Sequence, residues 1–163
     1  MRVRRATPED LPALVSLFAE LDQMQSGWRV FAPRPGFRDE VRDGYREAMS
    51  ARDKVVLVAE EGSEVVGMAQ GEVHPPSRFS DEVALELSSV VVRAAYRGRG
   101  IGRELVKEAG RFALERGVDR VELRTFAANH DALGFWRGLG FTPRVVQLVC
   151  ATEALVGRLD REA

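Results

Sequence analysis

The fold is decided by the stretch VVVRAAYRGRGIGR, residues 90–103. Its valines are typical of a strand covered on both faces, and the apolar period that begins at Ile101 predicts a helix. Glycines at 98, 100 and 102 lie between the two elements. A glycine turn at a helix N-terminus points several backbone N–H groups toward one place, where they can bind an anion. We therefore predict a phosphate site here, with Arg97, Arg99 and Arg103 as added donors.

Two other phosphate motifs fail on spacing. A dinucleotide-binding G-x-G-x-x-G that starts at Gly98 needs glycine at position 103, where the chain has Arg103. A Walker A loop needs a Gly-Lys-Ser/Thr ending, which is absent from the sequence. The remaining alternative is a tight strand-to-helix turn whose arginines are merely solvated.

The patterns on either side of this stretch alternate between strand and helix periods. They predict strand 2–5, a helix beginning after Thr7, a loop over 26–36, a helix over 37–51, strands over 54–60, 64–73 and 83–92, a helix from Gly100 to Gly117, a strand over 118–126, a helix from Asn129 to Gly140, a strand from Phe141 to Cys150 and a short terminal helix. This order predicts an α/β protein with a mixed sheet, and we expect residues 1–163 to form a single domain.

Composition limits the class of protein. Lysine and arginine total 24 against 25 acidic residues, so no global charge favours nucleic acid or an anionic membrane. No apolar run is long enough for a bilayer, and the polar N-terminus does not resemble an export signal, so we expect a cytoplasmic protein. The single cysteine, Cys150, follows an apolar run, which favours core packing over a reactive thiol. Two histidines without a cysteine or carboxylate pattern predict no metal site.

Two motifs in the chain resemble those of one family. Arg97-x-x-Gly100-x-Gly102 after a valine-rich strand is similar to the acyl-CoA signature of the GCN5-related N-acetyltransferases, the GNAT superfamily. The segment from Asn129 to Phe141 resembles the later Asn-x-x-Ala…Gly-Phe motif of that family. The resemblance covers nearly the whole chain. It implies a single-domain fold with a central mixed, mostly antiparallel sheet and helices on both faces.

The resemblance implies that acetyl-CoA binds as the acyl donor. Its pantetheine arm would lie along Val90, Val91 and Val92, and Asn129 would lie near it, although Asn129 is equally suited to a plain helix cap. One N–H of that strand would polarise the thioester oxygen. The donor-binding residues so assigned are Val90, Val91, Val92, Arg97, Gly98, Arg99, Gly100, Ile101, Gly102, Arg103 and Asn129.

Direct transfer needs a neutral amine, so a proton acceptor is required. Glu86 is the candidate base, because its distance of eleven residues from Arg97 resembles that of the catalytic glutamate in the histone-acetylating branch; a solvated, outward-facing Glu86 is the alternative. Many relatives have a tyrosine acid where this chain has Trp136, so water would protonate the leaving thiolate. Tyr45 and His74 are weaker candidates for contact with the acceptor, and a surface turn is the alternative for His74.

These expectations define an N-acetyltransferase that moves an acetyl group from acetyl-CoA to a primary amine of a small molecule or protein. A non-catalytic acyl-CoA-binding sensor or regulatory protein is the alternative, motivated by Trp136. We expect the acceptor pocket between the first two helices, near Trp28 and Phe31, and the 74–81 loop. The resemblance also implies a homodimer, and the balanced charge predicts neither nucleic acid nor a membrane as a partner.

Overall fold

The computed structural model describes residues 1–28, 35–76 and 81–162. They fall into two compact units, residues 1–128 and residues 129 onward. The strands are β1 Arg2–Arg5, β2 Lys54–Glu61, β3 Glu64–His74, β4 Ala84–Val92 and β5 Val121–Leu123. The helices are α1 Leu11–Gln25, α2 Phe37–Ser50, α3 Ile101–Leu114, α4 His130–Arg137 and α5 Thr152–Glu162. Among the described helices, none has the length and hydropathy needed to cross a bilayer.

The five strands form one sheet in the order β1-β2-β3-β4-β5. The first three pairs are antiparallel, and β4 and β5 are parallel. A two-residue turn joins β2 to β3, and residues 75–83 lead from β3 to β4, whereas β1 is followed by α1 and α2 before β2. The parallel pair β4 and β5 is joined through α3, as a crossover requires. The prediction of a mixed, mostly antiparallel sheet is therefore confirmed.

Helices of the first unit cover both faces of this sheet. Val58, Met68 and Val91 are in register across β2, β3 and β4 and belong to the apolar core beneath α1 and α2. On the opposite face, a Cβ added to Gly67 would come within 3.3 Å of Leu105 of α3. Burial on both sides explains why these strands have continuous apolar runs rather than alternating ones.

A β-bulge at Ser88 changes the direction of the side chains in β4. Gln70 is paired with Ser89, but Gly71 is paired with Leu87, so Ser88 is an extra residue in the ladder. Strict alternation would put Glu86 and Val91 on opposite faces. The bulge instead places Glu86 on the α1 and α2 face, opposite Glu72.

A buried ion pair holds β1 to the start of α1. Arg4 donates to both carboxylate oxygens of Asp10, at 2.6 and 2.9 Å, and the Thr7 N–H donates to the same carboxylate at 2.8 Å. The hydrogen bonds from Arg4 hold the pKa of Asp10 below its usual value. Because Asp10 is only 6% exposed, its charge depends on these partners.

Two predictions for the second half of the chain need correction. Residues 141–150 form neither strand nor helix, and Cys150 is exposed rather than packed in a core. The apolar run has β propensity, but a strand also needs a neighbour in a ladder, and within the described ranges none pairs with these residues. The predicted strand 118–126 is shorter, with ladder pairing only at Val121–Leu123.

Candidate functional site

The glycine turn joins β4 to α3. After Val92 the chain makes a 3-10 turn at Ala94–Tyr96, and Gly98 and Gly100 then have φ values of +76° and +82°. Residues with a Cβ rarely adopt this left-handed conformation, so the glycines are required by the backbone. Gly100 is the N-cap of α3, and the chain enters the helix at Ile101, which is 2% exposed and anchors it in the core.

The space in front of this turn is open. A Cβ added to Gly98 or Gly100 would meet no other atom within 4 Å, so a ligand can approach the backbone closely at both positions. The first N–H groups of α3 have no partner within the helix, and the helix dipole makes this end positive. The turn therefore has the shape and the polarity that fit the pyrophosphate of CoA.

Arg97 lies at the start of the turn with its charge available. Its Nε donates to the Val92 carbonyl at 2.9 Å, and a terminal nitrogen lies 3.6 Å from the sulfur of Met24. Both contacts are with uncharged groups. An open groove of about 600 Å³ between α1 and Ala94 borders the same side chain. Arg97 is thus held in place but can still pair with an anion.

Arg99 has a different setting. Its guanidinium carbon lies 5.0 Å from the centre of the Tyr96 ring, and one nitrogen lies 3.6 Å from Glu61. The Tyr96 hydroxyl donates to Glu64 at 2.8 Å, which raises the pKa of that tyrosine. The hydroxyl of Tyr96 is thus engaged with Glu64, which gives this tyrosine a structural role rather than that of an acid.

The edge of β4 beside β5 is only partly paired. β5 is in register with Leu85, Glu86 and Leu87, and in the part of the chain that the structure describes no strand continues this pairing toward Val92. The backbone N–H of Arg93 donates to the Val66 carbonyl of β3. Because backbone groups alternate in direction along a strand, the N–H and C=O groups of Val90 and Val92 point away from β3. The Val92 carbonyl accepts from Arg97, and the Val90 groups face the open edge.

Two side chains contact the Glu86 carboxylate, and we call His74, Glu86 and Arg124 together the Glu86 cluster. Arg124 donates to Oε1 of Glu86 from Nε at 3.1 Å and from a terminal nitrogen at 2.7 Å. His74 Nε2 lies 3.0 Å from Oε2 of the same carboxylate. The hydrogen bond to Glu86 raises the pKa of Arg124. The Glu86 side chain is 18% exposed, so it is neither free nor fully solvated.

Tyr45 requires a correction. Its side chain is 2% exposed in the core beneath α1 and α2, and its hydroxyl donates to the Met68 sulfur at 3.3 Å. Burial raises the pKa of this phenol well above its usual value. Because an aromatic stripe on an amphipathic helix is most often core, the prediction that Tyr45 contacts the acceptor is wrong for this structure.

The later motif lies in the second unit and is described by itself. Oδ1 of Asn129 accepts from the Ala132 N–H at 3.1 Å, so this side chain caps α4. The Trp136 ring packs edge-on against Phe135 and Phe141, with centroid distances of 4.9 and 5.2 Å. Trp136 therefore packs among aromatic rings and offers no hydroxyl.

The predicted acceptor pocket lies only partly within the described residues. Phe31 and residues 77–80 lie outside the described residues, whereas the Trp28 ring lies 6.4 Å from that of Phe126. Arg124 is a member of the Glu86 cluster that sequence reasoning missed. Its only signal is a positive charge just after the strand that follows the acyl-CoA signature, which is too common a pattern to single it out.

Comparison with known proteins gives consistent matches. The family model described as Acetyltransferase (GNAT) family matches residues 19–141. An uncharacterized N-acetyltransferase of Archaeoglobus fulgidus is 28% identical over 136 residues, which cover 83% of this chain and 89% of that protein. The N-alpha-acetyltransferase RimI of Mycobacterium tuberculosis is 31% identical over 135 residues, which cover 83% of this chain and 74% of that protein.

Solved structures and longer relatives complete this comparison. The crystal structure of a transcriptional regulator from Bacillus halodurans C-125 superposes with a TM-score of 0.75 at 29% identity, covering 92% of this chain and 98% of that one. Some curated relatives are much longer, and this chain spans 35%, 44% and 33% of the length of three of them.

Proposed function

The chain belongs to the acetyltransferase (GNAT) family of acyltransferases, and on that premise we propose that it transfers the acetyl group of acetyl-CoA directly to a primary amine. The observation that carries this proposal is the glycine turn. Gly98 and Gly100 have left-handed backbones with open space in front of them, at the N-terminus of a helix and beside a strand edge that is not fully paired.

The donor side of the site follows from that geometry. The pyrophosphate would accept hydrogen bonds from the backbone of residues 98–103, and Arg97 would add a charged donor. The amide chain of pantetheine would pair with the N–H and C=O groups of Val90, as an added strand pairs with an open edge. Bound acetyl-CoA supplies an activated thioester with a thiolate leaving group. Asn129, which caps α4, stays a predicted contact.

The acceptor side needs proton transfer. An amine near neutral pH is mostly an ammonium ion, which has no lone pair for attack until a proton is removed. The Glu86 cluster lies on the α1 and α2 face and is the described group suited to this task. A thiolate is a good leaving group, so a tryptophan at position 136 is compatible with turnover in which water supplies the final proton.

A small-molecule amine and a protein amino terminus both fit the reaction, and the name of the Mycobacterium tuberculosis relative makes the α-amino group of a peptide the first class to test. A cytoplasmic location and a homodimer stay predictions. Size-exclusion chromatography with light scattering tests the homodimer.

Release of CoA thiol tests the function directly. Purified protein with acetyl-CoA is tested against a panel of peptides with free amino termini, lysine side chains, polyamines and amino sugars. We expect one class of amine to cause release of CoA thiol from acetyl-CoA. The mass of that amine should rise by about 42 Da per acetyl group, with about one acetyl group gained for each thiol released. A protein that binds acetyl-CoA but acetylates no amine in the panel would contradict the enzymatic proposal.

That contrary outcome would favour a second candidate, a non-catalytic acyl-CoA sensor. Two observations motivate it: Trp136 is packed among aromatic rings instead of offering a hydroxyl, and one similar solved structure is described as a transcriptional regulator. The sensor predicts saturable acetyl-CoA binding with no thiol release.

A further inference from the structure

The contacts of Glu86 argue against this carboxylate as the proton acceptor. Both of its oxygens are occupied, Oε1 by two nitrogens of Arg124 and Oε2 by His74. A proton on Glu86 would compete with these donors for the carboxylate oxygens. Glu86 is therefore better suited to orient a neighbour than to exchange a proton.

The same contact fixes the form of the imidazole. Nε2 of His74 lies 3.0 Å from an ionised carboxylate, so it carries the hydrogen. In a neutral imidazole the other ring nitrogen, Nδ1, then has the lone pair. The His74 side chain is 48% exposed, so a substrate amine can reach it. This is an oriented base whose partner is held by a third group.

We propose that His74 is the proton acceptor of the reaction and that Glu86 and Arg124 are positioning residues. The proposal deepens the proposed function and rests on it. His74 accepts the proton directly from the substrate ammonium or through one water. Glu86 holds the ring with Nδ1 available, and Arg124 holds Glu86.

The bulge at Ser88 is what makes this arrangement possible. It places Glu86 on the same sheet face as His74, which is the last residue of β3. Two further charged groups lie on the strands beside Glu86. Glu72 is in register with Glu86 and 3.6 Å from Lys54, and Glu122 is in register with Glu86 on β5. Among the described residues, no group of three His, Cys, Asp or Glu could hold a metal ion, so metal binding does not explain the cluster.

His74 Nδ1 takes one proton from the ammonium and becomes an imidazolium, and the freed amine lone pair attacks the thioester carbon. The C–N bond forms and the C–S bond breaks, with the electron pair leaving on sulfur. The amide nitrogen loses its second proton, the CoA thiolate gains one, and the imidazolium returns its proton to solvent.

Kinetics separate His74 from Glu86. His74→Gln keeps an N–H that can donate to Glu86 but has no basic nitrogen. We expect kcat to fall about 100-fold, with the KM for acetyl-CoA unchanged, and the acidic limb of the pH profile of kcat/KM for the amine to disappear. Glu86→Ala should keep that limb, because His74 is still present. A limb that survives in His74→Gln and is lost in Glu86→Ala would overturn the proposal.

A spectroscopic test does not depend on turnover. The chain has two histidines, and His130→Gln leaves His74 as the single imidazole. Nitrogen-15 NMR at neutral pH should show the Nε2–H tautomer, with a mixture of tautomers after Glu86→Ala. An Nδ1–H tautomer, or a spectrum that Glu86→Ala does not change, would refute the positioning role. Absence of thiol release from the wild type with the tautomer as expected would instead contradict the proposed function alone.

Discussion

The glycine turn and the Glu86 cluster are both built on β4, but by opposite means. The turn is continuous in sequence, and its chemistry comes from the backbone of residues 98–103. The cluster brings together side chains from β3, β4 and the segment after β5, at positions 74, 86 and 124. A site made of backbone is encoded locally, whereas a site made of side chains depends on how strands pair.

The two regions should therefore control different steps. The turn presents donors and positive charge, so changes there should weaken donor binding. The cluster presents an oriented lone pair, so changes there should slow proton transfer and leave donor binding intact. The following predictions test that separation.

The largest effect is expected at Gly100. Gly100→Glu places a carboxylate where the pyrophosphate would lie and removes access to the backbone. We expect acetyl-CoA affinity to fall at least 100-fold, about the value of two lost hydrogen bonds to a charged group. Titration calorimetry measures it. Gly117→Glu is the matched control, because Gly117 follows the other end of α3 with φ +69° and open space in front of its Cβ.

Both variants force a side chain into a left-handed conformation, at a cost of about 1 kcal/mol each. They should lower the melting temperature similarly, and Gly117→Glu should bind acetyl-CoA normally. Equal loss of affinity in both variants would show that strain, rather than the turn, controls binding.

A second prediction concerns the scaffold that both regions share. Asp10→Asn removes the charge that Arg4 and Thr7 hold, and we expect unfolding free energy to fall by about 2 kcal/mol at pH 7. The folded-state pKa of Asp10 is lowered, so its contribution is full above the usual aspartate pKa of about 3.9 and is lost as pH falls toward the folded value. The difference between wild type and variant in urea unfolding should shrink below about pH 4.

Neither functional region touches Asp10, so acetyl-CoA affinity and the pH–rate profile of the variant should match the wild type at temperatures where it is folded. A variant of unchanged stability at pH 7 would contradict the account of the buried ion pair.

Arg97 is expected to have an intermediate effect. Arg97→Gln removes the charge at the start of the turn, and acetyl-CoA affinity should fall about 10-fold with a weaker dependence on salt. Arg111→Gln is the control, because Arg111 lies on α3 but is paired with Glu108. Fluorescence or calorimetric titrations at two salt concentrations measure both. Equal effects of the two substitutions would indicate general electrostatics instead of a specific contact.

The smallest effect is expected at Arg124. Its side chain is 88% exposed, so the support that it gives Glu86 is screened by water. Arg124→Gln should lower kcat about fivefold and leave the KM for acetyl-CoA unchanged. Arg120→Gln removes a similar ion pair, with Glu82, between the residues that precede the same two strands, and it should change neither parameter. A larger change in KM than in kcat would place Arg124 in donor binding.

The backbone of the glycine turn could be predicted from the sequence, whereas the contacts within the Glu86 cluster could not. The glycine turn was readable because Gly98 and Gly100 meet a backbone requirement that few other residues satisfy. The helices and the five strands of the sheet followed from periodicity, and the mostly antiparallel sheet was implied by the family resemblance. Glu86 was selected by its spacing from Arg97, but its partners could not be predicted. The bulge at Ser88 has no sequence signal, and without it Glu86 would face α3.

The failed predictions have a related cause. Residues 141–150 and Tyr45 were judged from local pattern alone. A β-branched run becomes a strand only with a partner, and an aromatic side chain on an amphipathic helix reaches a pocket only if the core does not enclose it. Both outcomes depend on tertiary contacts that one segment does not specify.

The central claim is that the turn binds the pyrophosphate of the acyl donor. A ¹H–¹⁵N NMR titration of the wild-type chain with CoA tests it most directly, because backbone amides that donate to phosphate shift strongly. The account predicts that the largest shifts fall on residues 98–103 and on Val90, with smaller shifts at His74 and Arg124. Saturable binding of CoA that leaves the amides of residues 98–103 unshifted would contradict it.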